Sequence, residues 1–485
     1  MSAPASEPAR APLYVDLDGT LIATDTLWES LCLLVRRDPL RMLALPVWAL
    51  AGKAALKSRI AERVCPDAAL LPYRAEVVER VRAERAAGRR VVLATAAHER
   101  IARAVAEELD LFDGVLASSG ERNLKSAAKL EAIRRDAGGG PFAYIGDAKA
   151  DLPIWAAAEQ AIAVGASRSL AARLAKQNPA PEHLRIGPPA KRWPALRALR
   201  PHQWAKNVLL GAPLVLSHQM TDLARLGAVA AGFAAFCLVA SAGYLINDML
   251  DIEADRRHAT KRTRPFAAGT LSIAQGLLWT LLLLTTGFAL SACFVSGPFV
   301  AMVAAYLAAT LSYSLYLKER LFLDVLVLAG LYTHRVLAGG VAAGVEVSSW
   351  LLAFSVFFFL SLALVKRYVE LIEKSRSEAG TVARRAYQVG DTALVETMGI
   401  ASGYLSVLVL GLYVSRDDVS RYYSNPEVLW LATPLMLYWI SRVWLLARRG
   451  ELTADPVVFA ATDRVSYAIV AAIFLIGVVA ALTGG

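Results

Sequence analysis

Asn247-Asp-Met-Leu-Asp-Ile-Glu-Ala-Asp255, running on to Lys261-Arg-Thr-Arg-Pro265, closes an apolar segment long enough to cross a bilayer. On one helix Asp248, Asp251 and Asp255 stand at i, i+3 and i+7 and share a face, with Asn247 at its edge and Glu253 turned away. Carboxylates at membrane depth are costly, so three on one face mark a candidate site. Converging carboxylates suit Mg²⁺, a hard cation with oxygen ligands that is often shared with substrate phosphates. The basic side chains that follow, Lys261, Arg262 and Arg264, are candidate phosphate ligands.

Outward from this stretch, the 485 residues divide by composition. Up to about residue 200 the pattern is that of a soluble α/β domain. Beyond it, nine apolar segments recur, at roughly 205–220, 225–250, 271–293, 297–317, 322–344, 349–369, 393–414, 428–447 and 465–483. The net charge of +10 is spread between these segments rather than gathered in one patch, which argues for membrane topology and against nucleic acid. Even connections are basic (Arg256, Arg257, Lys261, Arg262, Arg264; Lys318, Arg320; Lys366, Arg367, Arg384, Arg385; Arg448, Arg449, Arg464), whereas odd ones hold only Arg225, Arg416 and Arg421. This alternation predicts a multi-pass membrane protein with its N-terminal domain in the cytoplasm. No charged region followed by an apolar stretch opens the chain, so no signal peptide is expected. The four cysteines have no paired spacing, so neither a zinc site nor a disulfide framework is indicated.

In the first part, Leu13-Tyr-Val-Asp-Leu-Asp-Gly-Thr20 reads as a buried strand entering a glycine turn, with Asp16 and Asp18 at its end. Further strands at 90–95, 142–147 and 161–165 alternate with helical stretches, as in a doubly wound sheet that carries its site at the strand ends. Residues 25–85 are helical in pattern and are placed as a cap. Within it, Leu40–Leu50 is apolar but too short to span; cap core and a face dipping into the bilayer both fit it. The proline-rich stretch 178–200 is read as a linker, between a domain at 1–177 and a membrane domain at 201–485.

Asp16–Thr20, Thr95, Lys125 and Gly146-Asp147 with Asp151 resemble, in order, the four motifs of the haloacid dehalogenase superfamily of phosphotransferases. The resemblance implies a Rossmann-like domain with a helical cap. It implies Asp16 as the nucleophile, Asp18 as general acid and base, and Thr95 and Lys125 as phosphoryl ligands. It also implies a Mg²⁺ held by Asp16, the Asp18 carbonyl and Asp147, supported by Asp151.

Asn247-Asp-x-x-Asp-x-x-x-Asp255, after the second of nine helices, resembles the UbiA superfamily of intramembrane prenyltransferases, which implies an all-α membrane domain with its own Mg²⁺. Members commonly carry a second Asp-x-x-x-Asp motif; here Asp324 is followed four residues on by Leu328. Arg200-Pro-His-Gln-Trp-Ala-Lys-Asn207, His258–Pro265, Tyr332-Thr-His-Arg335 and Lys366-Arg-Tyr-Val-Glu370 resemble one branch, the decaprenyl-phosphate phosphoribosyltransferases of cell-wall arabinan synthesis. That resemblance implies 5-phosphoribosyl diphosphate as donor and a polyprenyl phosphate as acceptor. Asp248, Asp251 and Asp255 would act on the diphosphate, and Lys206, Asn247, Asp324, Tyr332, Arg335, Lys366 and Arg367 would join in substrate binding. Asp324 and Arg335, eleven residues apart, fall on one helical face near Tyr332. The fused first domain is then expected to remove the ribose 5-phosphate, leaving polyprenylphosphoryl ribose. The alternatives are an aromatic or haem-type prenyltransferase with an unrelated phosphatase, and a non-enzymatic lipid transporter or scaffold.

Overall fold

The structure, a computed structural model, describes residues 10–482 apart from 121, 179, 188–192, 377–386, 417–418, 421–422, 453–454 and 461. Pro179, Pro188, Pro189, Arg384, Arg385 and Arg421 lie outside the described residues. The chain forms two compact units: Met1–Ala198 with Asp248–Leu278, and Leu199–Asn247 with Trp279–Gly485.

In the first unit, strands β1 (Leu13–Val15), β2 (Val91–His98), β3 (Gly114–Ser118), β4 (Ala143–Gly146), β5 (Gln160–Val164) and β6 (Glu182–Leu184) form one parallel sheet, ordered β3-β2-β1-β4-β5-β6. The central strands are continuous apolar runs because both faces are covered: Leu13, Val15 and Ile145 pack into one core, Tyr14, Tyr144 and Trp155 into the other. Strand β6 lies within the stretch expected to be a linker. Backbone pairing to β5 overrides its proline-rich surroundings, so the sheet extends past residue 177.

Helices α1 (Thr26–Arg37), α2 (Leu45–Leu50) and α3 (Lys53–Ala61) form the insertion after β1, with a 3₁₀ turn at Pro39–Ala44. Asp25 caps α1, accepting from the amides of Leu27 and Trp28. The cap ends sooner than 85. Helix α4 (Ala75–Ala86) turns Val77, Val78 and Val81 into the sheet's core and is a layer of the main fold. The apolar stretch 40–50 divides its faces. Trp48 packs on Leu33, Leu34, Ile60 and Val64, while Leu40, Leu43, Val47 and Leu50 are 63–89% exposed. Helices α5 (Glu99–Leu109), α6 (Ala127–Asp136), α7 (Leu152–Ala157) and α8 (Arg168–Gln177) complete the alternation, and α9 (Pro194–Leu199) follows β6.

The remaining helices are α10 (Ala212–Leu216), α11 (Leu223–Leu250), α12 (Ile252–Arg257), α13 (Ile273–Phe294), α14 (Gly297–Leu315), α15 (Leu323–Ala343), α16 (Ser349–Arg376), α17 (Thr392–Val414), α18 (Ala432–Arg449), α19 (Pro456–Ala460) and α20 (Arg464–Leu482). Eight of the described helices are long and apolar enough to cross a membrane, not nine. The expected first one, 205–220, is a 3₁₀ segment at Pro201–Gly211 followed by the short α10. Because 3₁₀ turns rise about 2.0 Å per residue, the 201–216 segment still reaches about 30 Å, the thickness of a hydrocarbon core.

Small residues set the closest approaches in the second unit. A Cβ on Gly339 would stand 2.1 Å from the Leu210 carbonyl oxygen, and one on Gly399 would stand 2.1 Å from the Trp444 ring. Around Gly330 nothing lies within 4 Å. Gly339→Val is therefore expected to lower the thermal stability of the detergent-solubilised protein by about 1–3 kcal/mol, the range for overpacking. Gly330→Ala is expected to leave it unchanged or slightly raised, and a melting curve of each variant checks the pair.

Candidate active sites

Asp16 directly follows β1, Thr95 lies within β2, and Asp147 directly follows β4, so the parallel sheet brings all three to one edge. Carboxylate oxygens of Asp16, Asp147 and Asp151 lie within 4.8 Å of one another. Thr20 Oγ1 donates to Asp147 Oδ1 at 3.1 Å, and Thr95 Oγ1 accepts from the Ala97 amide at 3.0 Å. Gly19 is at φ +77°, and a Cβ there would lie 2.3 Å from Asp147 Oδ2, so only glycine lets the turn pass that carboxylate. Burial, together with the charges of its neighbours, pushes Asp147 up to about 7, and burial raises Asp16 as well. Three crowded acids with a carboxylate-only donor set fit a hard divalent cation, whose charge would relieve that repulsion.

The lysine beside Asp16 is Lys129, not Lys125. Lys129 Nζ is 2.8 Å from Asp16 Oδ1 and 3.7 Å from Asp151 Oδ1, and it donates to the Tyr144 hydroxyl at 3.0 Å. Lys125 is exposed. Ser126, at φ +52°, turns the chain into α6, and one turn on Lys129 points inward on the same face as buried Ile133. That lysine on the inward face was the available signal. Asp18 is placed apart from the acid cluster: its carboxylate accepts from the Thr26 amide at 2.8 Å and faces the cap. Burial, then the charge of Asp25, pushes it up to about 8, a range suited to protonating a leaving group. A second lysine missed by sequence reasoning, Lys57 of the cap helix α3, donates to the Ala96 carbonyl at 2.6 Å.

The acids of the opening motif do not sit on one continuous helix. Helix α11 ends at Leu250, Asp251 stands at the junction before α12, and Asp255 lies on α12. Arg264 Nη1 stands 3.2 Å from Asp248 Oδ1 and 2.7 Å from Asp255 Oδ2, so these two carboxylates already share one cationic position. Asp251 turns elsewhere, with its Oδ1 3.6 Å from Arg36 Nε. Among the described residues the three do not form the tight acid group found at Asp16. Lys261 and Arg262 are exposed, and Asn247 is half-buried on α11. The point shared by Asp248 and Asp255 fits a divalent cation by charge and by ligand type.

In the second unit, Asp455 collects cations. Lys206 Nζ is 2.7 Å and Lys366 Nζ 3.2 Å from its Oδ2, and the Tyr332 hydroxyl donates to Oδ1 at 3.3 Å. Burial raises Asp455, but the two lysines outweigh it and hold the carboxyl well below the usual range. Arg335 stacks over the rings of Tyr332 and Tyr306 and donates to the neutral acceptors Asn207 Oδ1 (2.9 Å) and Tyr306 hydroxyl (3.0 Å). Two lysines thus meet one carboxylate, and Arg335 lies over the ring of Tyr332, whose hydroxyl donates to the same group. Asp455 was missed because a lone acid before a proline carries no spacing signal. Asp324 and Arg335 do not meet. Asp324 is wholly buried, 2.8 Å from Arg367 Nη2, and accepts from the Tyr387 hydroxyl at 2.9 Å. Arg367 also pairs with Glu370, so its charge is spent within the fold rather than kept for a substrate. Asp463 forms a two-pronged pair with Arg442 and caps α20.

Residues 208–462 match the UbiA prenyltransferase family, and residues 13–155 match the haloacid dehalogenase-like hydrolases. The chain is similar over almost its whole length to an uncharacterized protein, y4nM, of Sinorhizobium fredii, at 40% identity over 94% of this chain and 89% of that one. Nodulation protein NoeC of Azorhizobium caulinodans is 36% identical over 55% of this chain and 86% of its own. A decaprenyl-phosphate phosphoribosyltransferase of Mycolicibacterium smegmatis is 32% identical over 56% of this chain and 86% of its own.

Hydrolysis of a soluble phosphomonoester is expected to fall at least about a hundredfold in Lys129→Ala, the cost of removing a buried phosphoryl-stabilising donor. In Lys125→Ala it is expected to stay within about threefold of wild type, as for other exposed positions. A pH–rate profile tests Asp18. If Asp18 serves as the acid it must carry its proton, and the rate is then expected to fall about tenfold per pH unit above its pKa. A bound cation would draw that limb below about 8, and Asp18→Asn abolishes it.

Proposed function

For this chain, which belongs to the UbiA prenyltransferase family and carries a haloacid dehalogenase-like domain at its N-terminus, we propose two consecutive reactions on one lipid. The membrane domain transfers 5-phosphoribose from 5-phosphoribosyl diphosphate to a polyprenyl phosphate. The N-terminal domain then hydrolyses the ribose 5-phosphate to give polyprenylphosphoryl ribose. The observation that carries this reading is the pair Lys206 and Lys366 on the carboxylate of Asp455, with Arg335 over the ring of Tyr332 beside them, a cationic surplus suited to a phosphate. It is supported by the 32% identity to a decaprenyl-phosphate phosphoribosyltransferase. It is supported further by Leu328 and by the engagement of Asp324 with Arg367, which leave that helix without a second pair of metal-binding acids.

In the transfer, the bond from the anomeric carbon to the diphosphate oxygen breaks, and an oxygen of the lipid phosphate forms the new bond to that carbon. Nucleophile and leaving group are both anionic oxygens, so no strong base is required. Positioning and charge neutralisation carry the rate. Asp248 and Asp255 would hold Mg²⁺, joined by Asp251 on leaving Arg36, and the ion would supply charge stabilisation to the departing diphosphate. Lys206, Lys366 and Arg335 hold a phosphate of donor or acceptor, and Arg264 is released from Asp248 and Asp255 to take up another.

In the hydrolysis, an Asp16 oxygen attacks phosphorus while Lys129 neutralises the phosphoryl oxygens and Thr95 orients them. The phosphorus–ribose oxygen bond breaks, and Asp18 gives its proton to the leaving alkoxide. Water, losing a proton to Asp18, then releases phosphate from Asp16. Asp16, Asp147 and Asp151 would hold the Mg²⁺ that makes this attack on an anion possible. The exposed row Leu40, Leu43, Val47 and Leu50 on the cap, beside exposed Arg37 and Arg41, suits contact with a bilayer and a lipid-borne substrate. Both sites then work on the cytoplasmic side of a bacterial inner membrane, as the basic connections favour.

Labelled 5-phosphoribosyl diphosphate and polyprenyl phosphate, supplied to the protein in nanodiscs, test the sequence of reactions. Wild type is expected to form the dephosphorylated lipid, Asp16→Asn to accumulate the phosphorylated one, and Asp251→Asn to lose at least about 90% of incorporation. If Asp16→Asn yields the same lipid as wild type, the hydrolytic assignment is wrong.

A further inference from the structure

The acidic loop belongs to the same compact unit as the phosphatase-like domain. Glu29, on α1, makes a two-pronged pair with Arg256 of α12: Nη1 to Oε2 at 2.8 Å and Nη2 to Oε1 at 2.6 Å. Both side chains are 4–6% exposed. Arg256 Nε also donates to the Ala267 carbonyl at 2.9 Å, so one guanidinium ties α1, α12 and the turn after Pro265 together. One end of α1 brings Arg36 to Asp251; at its other end the Thr26 amide donates to Asp18. Two further contacts hold the loop: Glu253 accepts from the Asp67 amide at 3.1 Å, and Arg257 pairs with Asp67 at 3.0 Å. Gly269, at φ +67°, packs so closely that a Cβ there would lie 2.7 Å from Ala23.

We propose that helix α1 of the phosphatase-like domain is a structural part of the transferase site, with Glu29 and Arg36 as positioning residues that fix the loop carrying Asp251 and Asp255. A bidentate guanidinium–carboxylate pair fixes orientation as well as distance, and this one is dry. Removing either partner strands a buried charge, so the loop's geometry depends on α1. Arg36 further supplies the cation that faces Asp251 while no divalent ion does. The consequence is one-sided: the transferase needs α1, whereas phosphomonoester chemistry at Asp16 touches neither Glu29 nor Arg36.

A double-mutant cycle on the full chain in nanodiscs tests this, with Glu29→Ala, Arg256→Ala and the double variant. Backbone hydrogen exchange over 252–271 is expected to speed up at least about tenfold in each single variant, and the double is expected to be no worse than the worse single. Transfer of labelled phosphoribose is expected to fall in parallel, with a raised Mg²⁺ requirement. Hydrolysis of a soluble phosphomonoester stays within about twofold of wild type, which separates positioning from general unfolding. Arg256→Lys, which keeps charge but loses the fork, is expected to fall between wild type and Arg256→Ala. Wild-type exchange in the single variants, or additive losses in the double, overturns the proposal. So does a loss of hydrolysis equal to the loss of transfer. If wild type itself transfers no phosphoribose, the donor assignment fails, and the exchange cycle still decides whether α1 holds the loop.

Discussion

Charge removed from water has to be compensated, and the functional regions of this protein are arranged by that requirement. A buried carboxylate or guanidinium persists only where a partner of opposite sign and satisfied hydrogen bonds offset its desolvation. Asp324 is wholly buried and survives because Arg367 and Tyr387 meet it; Glu29 does so because Arg256 grips both of its oxygens. Asp248 and Asp255 face one another across Arg264. These pairs fix where the chain turns and which groups remain for a ligand. The helices supply the walls, and the ion pairs supply the registration.

Two clusters resolve the same problem with opposite surpluses. At the sheet edge Asp16, Asp147 and Asp151 crowd around one lysine, an excess of negative charge that calls for a metal and, through it, an anionic substrate. Around Asp455 the excess is positive, and no metal is implied; a phosphate would complete it directly. The acidic loop combines both devices, with arginines standing where cations are wanted. Phosphate recognition through a metal and recognition through bare cations differ in what they do to the substrate. The first polarises a bond that is to break. The second holds a group that is to stay.

Much of this was legible in the sequence where a period or a short motif carried it. Strands β1, β2, β4 and β5 announce themselves as apolar runs ending in Asp, Thr or Gly-Asp, and the membrane helices announce themselves by length. Short edge strands such as β6 do not, because three residues among prolines have no periodicity and gain their structure only by pairing with β5. The choice of Lys125 over Lys129 failed because motif spacing fixes position along the chain, while the positive φ at Ser126 decides which lysine faces inward. Alignment on one helical face brought Asp324 and Arg335 near in principle, yet each found partners on other helices. Partner choice is a tertiary property. For the same reason the contacts of Glu29 and Arg36, separated from theirs by more than two hundred residues, left no local trace.

The order of the two proposed reactions follows from charge as well. If the cations around Asp455 hold the donor's 5-phosphate, removing that phosphate before transfer would deprive the transferase of a handle, and the sugar would bind through its diphosphate alone. After transfer the same phosphate would only be an obstacle to release for as long as those cations held it. On this reading the phosphatase-like domain would draw the transfer forward, because a dephosphorylated product cannot return its phosphoribose to diphosphate. Hydrolysis would convert a lipid with a charged sugar into one without the 5-phosphate, which the cationic site would rebind less well. Fusing the two domains would keep the hydrolytic site at high effective concentration with respect to such a lipid-bound substrate, an advantage that a free phosphatase searching a membrane surface would lack.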